Sequence, residues 1–272
     1  ERWIKIFGIS IQPSEIVKIG IILSLAKYYH SIKFDNIGKL VHLIIPILII
    51  TVPFFLVVIQ PDLGTSLSML LLGVMIMFIS GVRIWKFALG ILIGIFSFPF
   101  LWTFIKPYQQ KRILSFLNPE SDPLGQGYQL IQSKIALGSG GLSGKGFLQG
   151  TQSYLEYLPE KQTDFIFTLI GEEFGFLGTI FVLILFIILI LICYLVSIKS
   201  YSVFGRIISL GVASNLFLYV LLNMSMVTGL MPVVGIPLPL LSYGGTAMLS
   251  IMLSFGLLLN ADIHYNIKKI DR

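Results

Sequence analysis

The sequence predicts an all-α fold, that of a polytopic helical membrane protein. Apolar runs of about 20 residues recur along it, each long enough to cross a bilayer. Of the 272 residues, 56% are hydrophobic and only 12% are charged. Mean hydropathy is +0.91. A soluble protein can bury one helix of this kind, but not one after another in a single chain.

Seven spans are expected, within a single integral membrane domain over residues 1–272. The first runs from about Pro13 to Tyr29. Proline suits a first helical turn and Glu15 favours the positive end of the dipole. The second runs from about Leu40 to Ile59, with Pro46 and Pro53 as expected kinks. The third and fourth cover about Leu63–Ser80 and Ile84–Ile105. A long polar segment, residues 106–163, follows, with short surface helices expected around Leu124 to Leu137. The fifth span, from about Asp164 to Ser197, is too long. It would measure roughly 50 Å against a hydrocarbon core of about 30 Å. Either its start projects from the membrane or it breaks at its glycines. The sixth runs from about Gly205 to Gly229 and the seventh from about Leu241 to Asn260.

Lysine and arginine in short connections set orientation. Lys33 and Lys39, Arg83 and Lys86, Lys199 and Arg206, and the tail Lys268, Lys269 and Arg272 fall on one side if the spans alternate. The short connections opposite carry none. The C-terminus is therefore expected in the cytoplasm and residues 106–163 outside. The net charge of +6 is explained by orientation and lipid headgroups, not by nucleic acid. Cys193 has no internal disulfide partner, and His30, His42 and His264 lack metal-ligand spacing. The chain opens on Glu1 with no signal peptide before the first span, and a missing beginning is expected.

Asp164 stands where a charged loop meets a long apolar helix. On a helical wheel it aligns with Thr168, Gly171, Gly175 and Gly178, a small-residue stripe that a neighbour can approach closely. A carboxylate at the end of such a groove is a candidate general base. Helix capping is the simpler account, since Thr163 and Asp164 are both good N-cap types. Glu172 and Glu173 are either functional carboxylates at membrane depth or a hydrogen-bonded pair at its boundary. Lys111, Arg112, Lys145 and Lys161 are candidate pyrophosphate ligands, Arg112 being able to bind bidentately. Alternatively, each is a basic residue beside anionic lipid. Gly138–Gly146 departs from a nucleotide P-loop and reads as a turn or a nest of backbone amides. Asp62 is expected to cap the third helix, with a role near the site as its alternative. Pro232, Pro237 and Pro239, ahead of Ser242, mark irregular backbone that suits a cavity wall.

Several segments together resemble the SEDS family of bacterial cell-wall polymerases, in its RodA rather than its FtsW branch. They are Arg2-Trp3, Gln12-Pro13-Ser14-Glu15, Gln60-Pro61-Asp62-Leu63-Gly64-Thr65, Asn118-Pro119-Glu120-Ser121-Asp122-Pro123-Leu124-Gly125, Gln132-Ser133-Lys134-Ile135-Ala136, Gly150-Thr151-Gln152-Ser153, Leu158-Pro159-Glu160, Thr163-Asp164-Phe165-Ile166-Phe167, Gly171-Glu172-Glu173 and Ser242-Tyr243-Gly244-Gly245. Glu120, Gln132, Asp62 and Ser242 complete the candidate substrate-binding set. The resemblance implies ten spans, so the first three are expected to be absent from this chain. It implies a peptidoglycan glycosyltransferase of the bacterial cytoplasmic membrane that joins lipid II into glycan strands during elongation, inverting configuration and releasing undecaprenyl pyrophosphate. It implies that Asp164 is the essential aspartate. It implies a class B penicillin-binding protein and other elongation-complex membrane proteins as partners, and no nucleic acid. No cofactor is required by the sequence, though a divalent cation (Mg or Mn) is compatible with the chemistry, and no ligand cluster marks a site for it. Two other classes remain open: a lipid II flippase, and a non-catalytic scaffold of the elongation complex.

Overall fold

The computed structural model describes residues 3–6, 9–103, 106–122, 125–154 and 162–270. Arg2, Pro123, Leu124, Leu158, Pro159, Glu160, Lys161 and Arg272 lie outside the described residues. The helices are α1 (Pro13–Ser31), α2 (Ile44–Ile59), α3 (Leu63–Ile79), α4 (Ile84–Trp102), α5 (Pro107–Leu117), α6 (Gln126–Ser139), α7 (Thr151–Tyr154), α8 (Ile166–Lys199), α9 (Val203–Thr228) and α10 (Gly245–Ile270). A short antiparallel pair precedes them, β1 (Ile4–Ile6) and β2 (Ile9–Ile11), with Ile4 opposite Ile11 and Ile6 opposite Ile9.

Every expected span has its helix. Among the described residues, four are long and apolar enough to cross a membrane: Leu40–Ile59, Ile166–Lys199, Val203–Thr228 and Gly245–Ile263. Leu63–Ile79 and Ile84–Phe100 are shorter apolar helices. α1 is less apolar because Glu15, Lys18 and Lys27 fall on it.

The chain divides into two compact units. The first comprises Glu1–Ile93, Ile188–Leu218 and Gly245–Arg272. Its core joins Ile22, Leu25 and Tyr29 of α1, Ile50 of α2, Leu72 and Ile76 of α3, and Ile208 and Val212 of α9. A side chain at Gly73 would collide with Ile50, so glycine lets α2 and α3 close together. Asp62 caps α3, its carboxylate accepting from Thr65 N (3.2 Å) and Thr65 Oγ1 (3.0 Å), and from Gln12 Nε2 (3.3 Å). Glu15 and Lys18, both buried, pair at 2.8 Å, and Ser250 donates to Glu15 Oε2 at 3.3 Å.

The second unit comprises Gly94–Ile187 and Tyr219–Gly244. It holds α5, α6, α7, the first part of α8 and the end of α9. Much of the described part of the polar segment is therefore helical. The excess length of the fifth span is resolved by a break: α8 is 34 residues long, but Gly175 sits at φ 66°, ψ −161°. Only glycine occupies that region without strain.

A break strands backbone groups that must find partners, above all where water is scarce. The glycine-rich segment supplies them. Phe176 N donates to Gly141 O (2.9 Å) and Leu177 N to Leu142 O (3.1 Å). In return Lys145 N donates to Glu172 O and Gly146 N to Glu173 O, both at 3.0 Å. Side chains at Gly140, Gly144 or Gly175 would collide with facing backbone. Gly140–Gly146 is thus a backbone plug for a broken helix. Gly140 and Gly144 are there for close approach, while Gly141 and Gly146 supply positive φ (+55° and +107°).

Candidate active site

Asp164 lies on a tight turn at residues 162–165, just ahead of α8, and is half-buried. Three successive carbonyls of that turn are captured by other segments of the same unit. Tyr243 N donates to Gln162 O at 2.9 Å. Ser242 Oγ donates to Thr163 O at 2.5 Å. Asn223 Nδ2, from α9, donates to Asp164 O at 2.8 Å. Phe165, next along, is 1% exposed and anchors the turn from beneath. Three held carbonyls and one buried ring fix the main chain that carries the Asp164 carboxylate.

The irregular backbone between α9 and α10 forms the facing wall. Gly235 has φ +72°, and a β-carbon built there would lie 3.2 Å from Asp164 Oδ2. The same Asn223 Nδ2 donates to Ile236 O at 2.7 Å. Ser242 Oγ also accepts from Leu238 N at 2.7 Å, which folds this wall back on itself. One helix turn past Asp164, α6 closes in. Ser133 Oγ donates its one proton to Val227 O (2.8 Å), so Thr168 must be the donor in the 2.8 Å Ser133–Thr168 contact. The small-residue stripe through Thr168 and Gly171, open on sequence to either a helix or a lipid chain, is covered by α6, with Leu137 against Gly171.

Three of the four candidate phosphate cations can be described, and each has a protein partner. Lys145 Nζ meets Glu172 Oε1 at 2.7 Å and Thr151 Oγ1 at 2.8 Å. The same Glu172 oxygen accepts from Thr151 Oγ1 (3.1 Å) and Gln152 N (3.0 Å), so this buried carboxylate ties α7 and the glycine-rich plug to α8. Lys111 Nζ pairs with Asp122 Oδ1 at 3.0 Å while staying 67% exposed. With the Gln126 amide turned so that its oxygen faces Arg112, it accepts from Nε (2.9 Å) and Nη2 (3.2 Å). Arg112 and Gln126 border a closed crevice with Ser115, Phe116, Leu130 and Val233, too small to admit a ligand. Lys161 lies outside the described residues.

Asp122 is an organiser the motif reading passed over. Its Oδ2 accepts from Ser115 Oγ (3.2 Å) and from Gln126 N (3.0 Å) at the start of α6. The Lys111 ammonium hydrogen-bonded to it holds its carboxyl below the usual carboxylate range, against the opposing effect of burial.

The remaining candidates are more dispersed. Glu120 is exposed in a short 3-10 turn, Pro119–Ser121, and Gln132 is half-buried on α6. Ser242 holds main chain, and Asp62 caps α3 in the first unit. Glu173 is 3% exposed, and its Oε2 has no hydrogen-bond partner among the described residues. Among the described residues, no three or more His, Cys, Asp or Glu side chains come together to hold a metal ion. Asn223 and Gly235 were not expected at the site. Their only signal in the sequence is a polar residue inside an apolar span and a glycine inside a proline-rich one.

A multi-pass helical membrane protein with one pinned carboxylate at the head of a broken helix is the class these features define. Comparison with known proteins makes it specific. The family model described as cell cycle protein, covering FtsW, RodA and SpoVE, matches residues 1–267. The chain is 43% identical to the peptidoglycan glycosyltransferase MrdB of Escherichia coli K12, over 97% of this chain and 71% of that protein. It is 42% identical to the stage V sporulation protein E of Bacillus subtilis, over 95% and 70%. Among solved structures it is similar to a chain of a peptidoglycan synthase complex that coordinates polymerization and crosslinking (TM-score 0.79, 32% identity, 95% and 72% coverage). It is also similar to the rod shape determining protein RodA of Thermus thermophilus (TM-score 0.66, 25% identity, 95% and 68% coverage). The chain belongs to the FtsW/RodA/SpoVE family.

Proposed function

We propose that this chain, a glycosyltransferase of peptidoglycan synthesis, polymerises lipid II with Asp164 as its general base. The observation that carries the reading is the pinned turn: three captured carbonyls hold the main chain of one half-buried aspartate whose carboxylate lies against Gly235. In the reaction a sugar 4-hydroxyl attacks the anomeric carbon of a lipid-linked glycan. Its proton passes to the Asp164 carboxylate, the new glycosidic bond forms, and the bond to undecaprenyl pyrophosphate breaks with inversion. A single carboxylate suffices, because a pyrophosphate leaving group needs charge stabilisation and no proton.

Arg112 is held by a neutral amide, where Lys111 and Lys145 are held by carboxylates, so of the described cations it gives up least to steady that pyrophosphate. Lys111 and Lys145 would have to exchange carboxylate partners for phosphate, and the exposed Lys111 does so at lower cost. A magnesium or manganese ion bound through substrate phosphates and water would need only one or two protein carboxylates.

The protein is a multi-pass membrane protein. Its basic short connections support an orientation in the bacterial cytoplasmic membrane with the tail inside and the Asp164 turn outside. The similar chain in a synthase complex supports a cross-linking partner, here proposed as a class B penicillin-binding protein of the elongation complex.

A transport reading draws on one observation of its own, the buried Glu15–Lys18 pair, since ionisable pairs inside a membrane often line transport paths. Fluorescent lipid II in proteoliposomes separates the two. Polymer made from externally supplied lipid II supports glycosyl transfer, whereas exposure to an external quencher without polymer supports transport.

A further inference from the structure

The mechanism above leaves Asn223 without a role. It lies on α9, is 0% exposed, and its Oδ1 is buried with no hydrogen-bond partner among the described residues. A buried amide with an orphaned acceptor is unfavourable in an apolar helix, where leucine would pack without penalty. What leucine lacks is the donor end. Both amide hydrogens are used, one on Asp164 O at 2.8 Å and one on Ile236 O at 2.7 Å. Neither carbonyl belongs to a helical ladder: Asp164 precedes α8, and Ile236 lies in the irregular wall. A single nitrogen therefore fastens the residue that carries the carboxylate to the residue following Gly235, whose α-carbon that carboxylate faces.

We infer that Asn223 is a positioning residue for glycosyl transfer, setting the Asp164 carboxylate against the Gly235 wall through paired hydrogen bonds to Asp164 O and Ile236 O. This rests on Asp164 being the base. Asn223 has no exposed surface, so its influence on chemistry runs through the two segments it joins. Loss of the amide frees the turn to rotate about its remaining anchors at Gln162 O and Thr163 O. Small displacements of a base from its productive geometry reduce turnover steeply and leave affinity for the rest of the substrate intact.

The experiment compares Asn223→Ala and Asn223→Asp with the unmodified protein, and uses Asn215→Ala as a packing control. Asn215 is a second buried amide on α9 and belongs to the first unit. Turnover and KM for lipid II are measured on protein that elutes as a single species. The expected result is a fall in kcat of at least about tenfold for Asn223→Ala, a KM within about threefold, and a smaller fall for Asn223→Asp, whose protonated form can still donate once. Combining Asn223→Ala with Asp164→Asn should produce no further loss. Unchanged kcat in Asn223→Ala, an equal loss in Asn215→Ala, or a loss confined to KM would overturn the assignment. If Asp164→Asn itself turns over normally, the base reading fails first; if Asp164→Asn is inactive while Asn223→Ala is normal, only the positioning role fails.

Discussion

Gly235 presents its α-carbon to Asp164 Oδ2, so closely that a β-carbon there would stand 3.2 Å from the oxygen. The contact joins two segments about 70 residues apart, a turn before one helix and an irregular stretch before another. It is permitted because residue 235 has no side chain and adopts φ +72°.

Gly235→Ala should therefore impair activity more than stability. A left-handed alanine costs about 1–2 kcal/mol, and its methyl group displaces the carboxylate. A tenfold or greater fall in lipid II polymerisation is expected, with the thermal midpoint lowered by only a few degrees. Steady-state polymerisation beside a thermal melt of the same sample checks both.

Gly175→Ala should be far more damaging to folding. The conformation is essentially restricted to glycine, and the added methyl would meet Leu142 O at 2.7 Å. Either α8 straightens and strands the Gly140–Gly146 backbone, or the plug is expelled. Loss of the monodisperse protein on size-exclusion chromatography is the expected outcome.

The Lys145–Glu172 pair should be asymmetric. Glu172 is 1% exposed and Lys145 is 26% exposed at the side chain. Lys145→Met leaves a buried carboxylate without its charge partner and should cost about 3 kcal/mol. Glu172→Gln leaves a lysine that can reach water and should cost less. The double variant should recover part of the sum, as a thermal-unfolding cycle would reveal.

How far the sequence carries is visible in these residues. Apolar run length marks most of the expected spans, α1 being the least apolar of them, and the excess length of the fifth requires either projection or a break at glycine. Gly175 provides the break. The role of Gly138–Gly146 was narrowed to a turn or a nest, but its partner was not legible, because the pairing joins segments some 30 residues apart through main chain. The hairpin at β1 and β2 was not foreseen: two three-residue strands carry too little periodicity to register. Asp164 was marked by its place at a helix head. Asn223 was not, since a hydrogen bond spanning 59 residues leaves no local pattern. The phosphate-ligand set rested on charge type alone, which says nothing of carboxylates such as Asp122 and Glu172 that fold against it.

The Lys111–Asp122 pair makes a prediction about pH. The folded carboxyl titrates below its unfolded value because Lys111 is hydrogen-bonded to it. Its contribution is therefore present above the unfolded pKa of about 3.9 and is lost as pH falls through the lower folded value. Melts recorded from about pH 6 down to about pH 2 should show a loss of stability below the unfolded pKa that is shallower in Lys111→Ala.

The most direct measurement is glycan polymerisation from labelled lipid II by Asp164→Asn beside the unmodified protein, each with its cross-linking partner. Asparagine keeps the size and polarity of the side chain and removes its basicity. A loss of at least about 100-fold with lipid II still bound is predicted, the scale a general base contributes. Polymerisation within about threefold of the unmodified rate would contradict the assignment of Asp164 as the base.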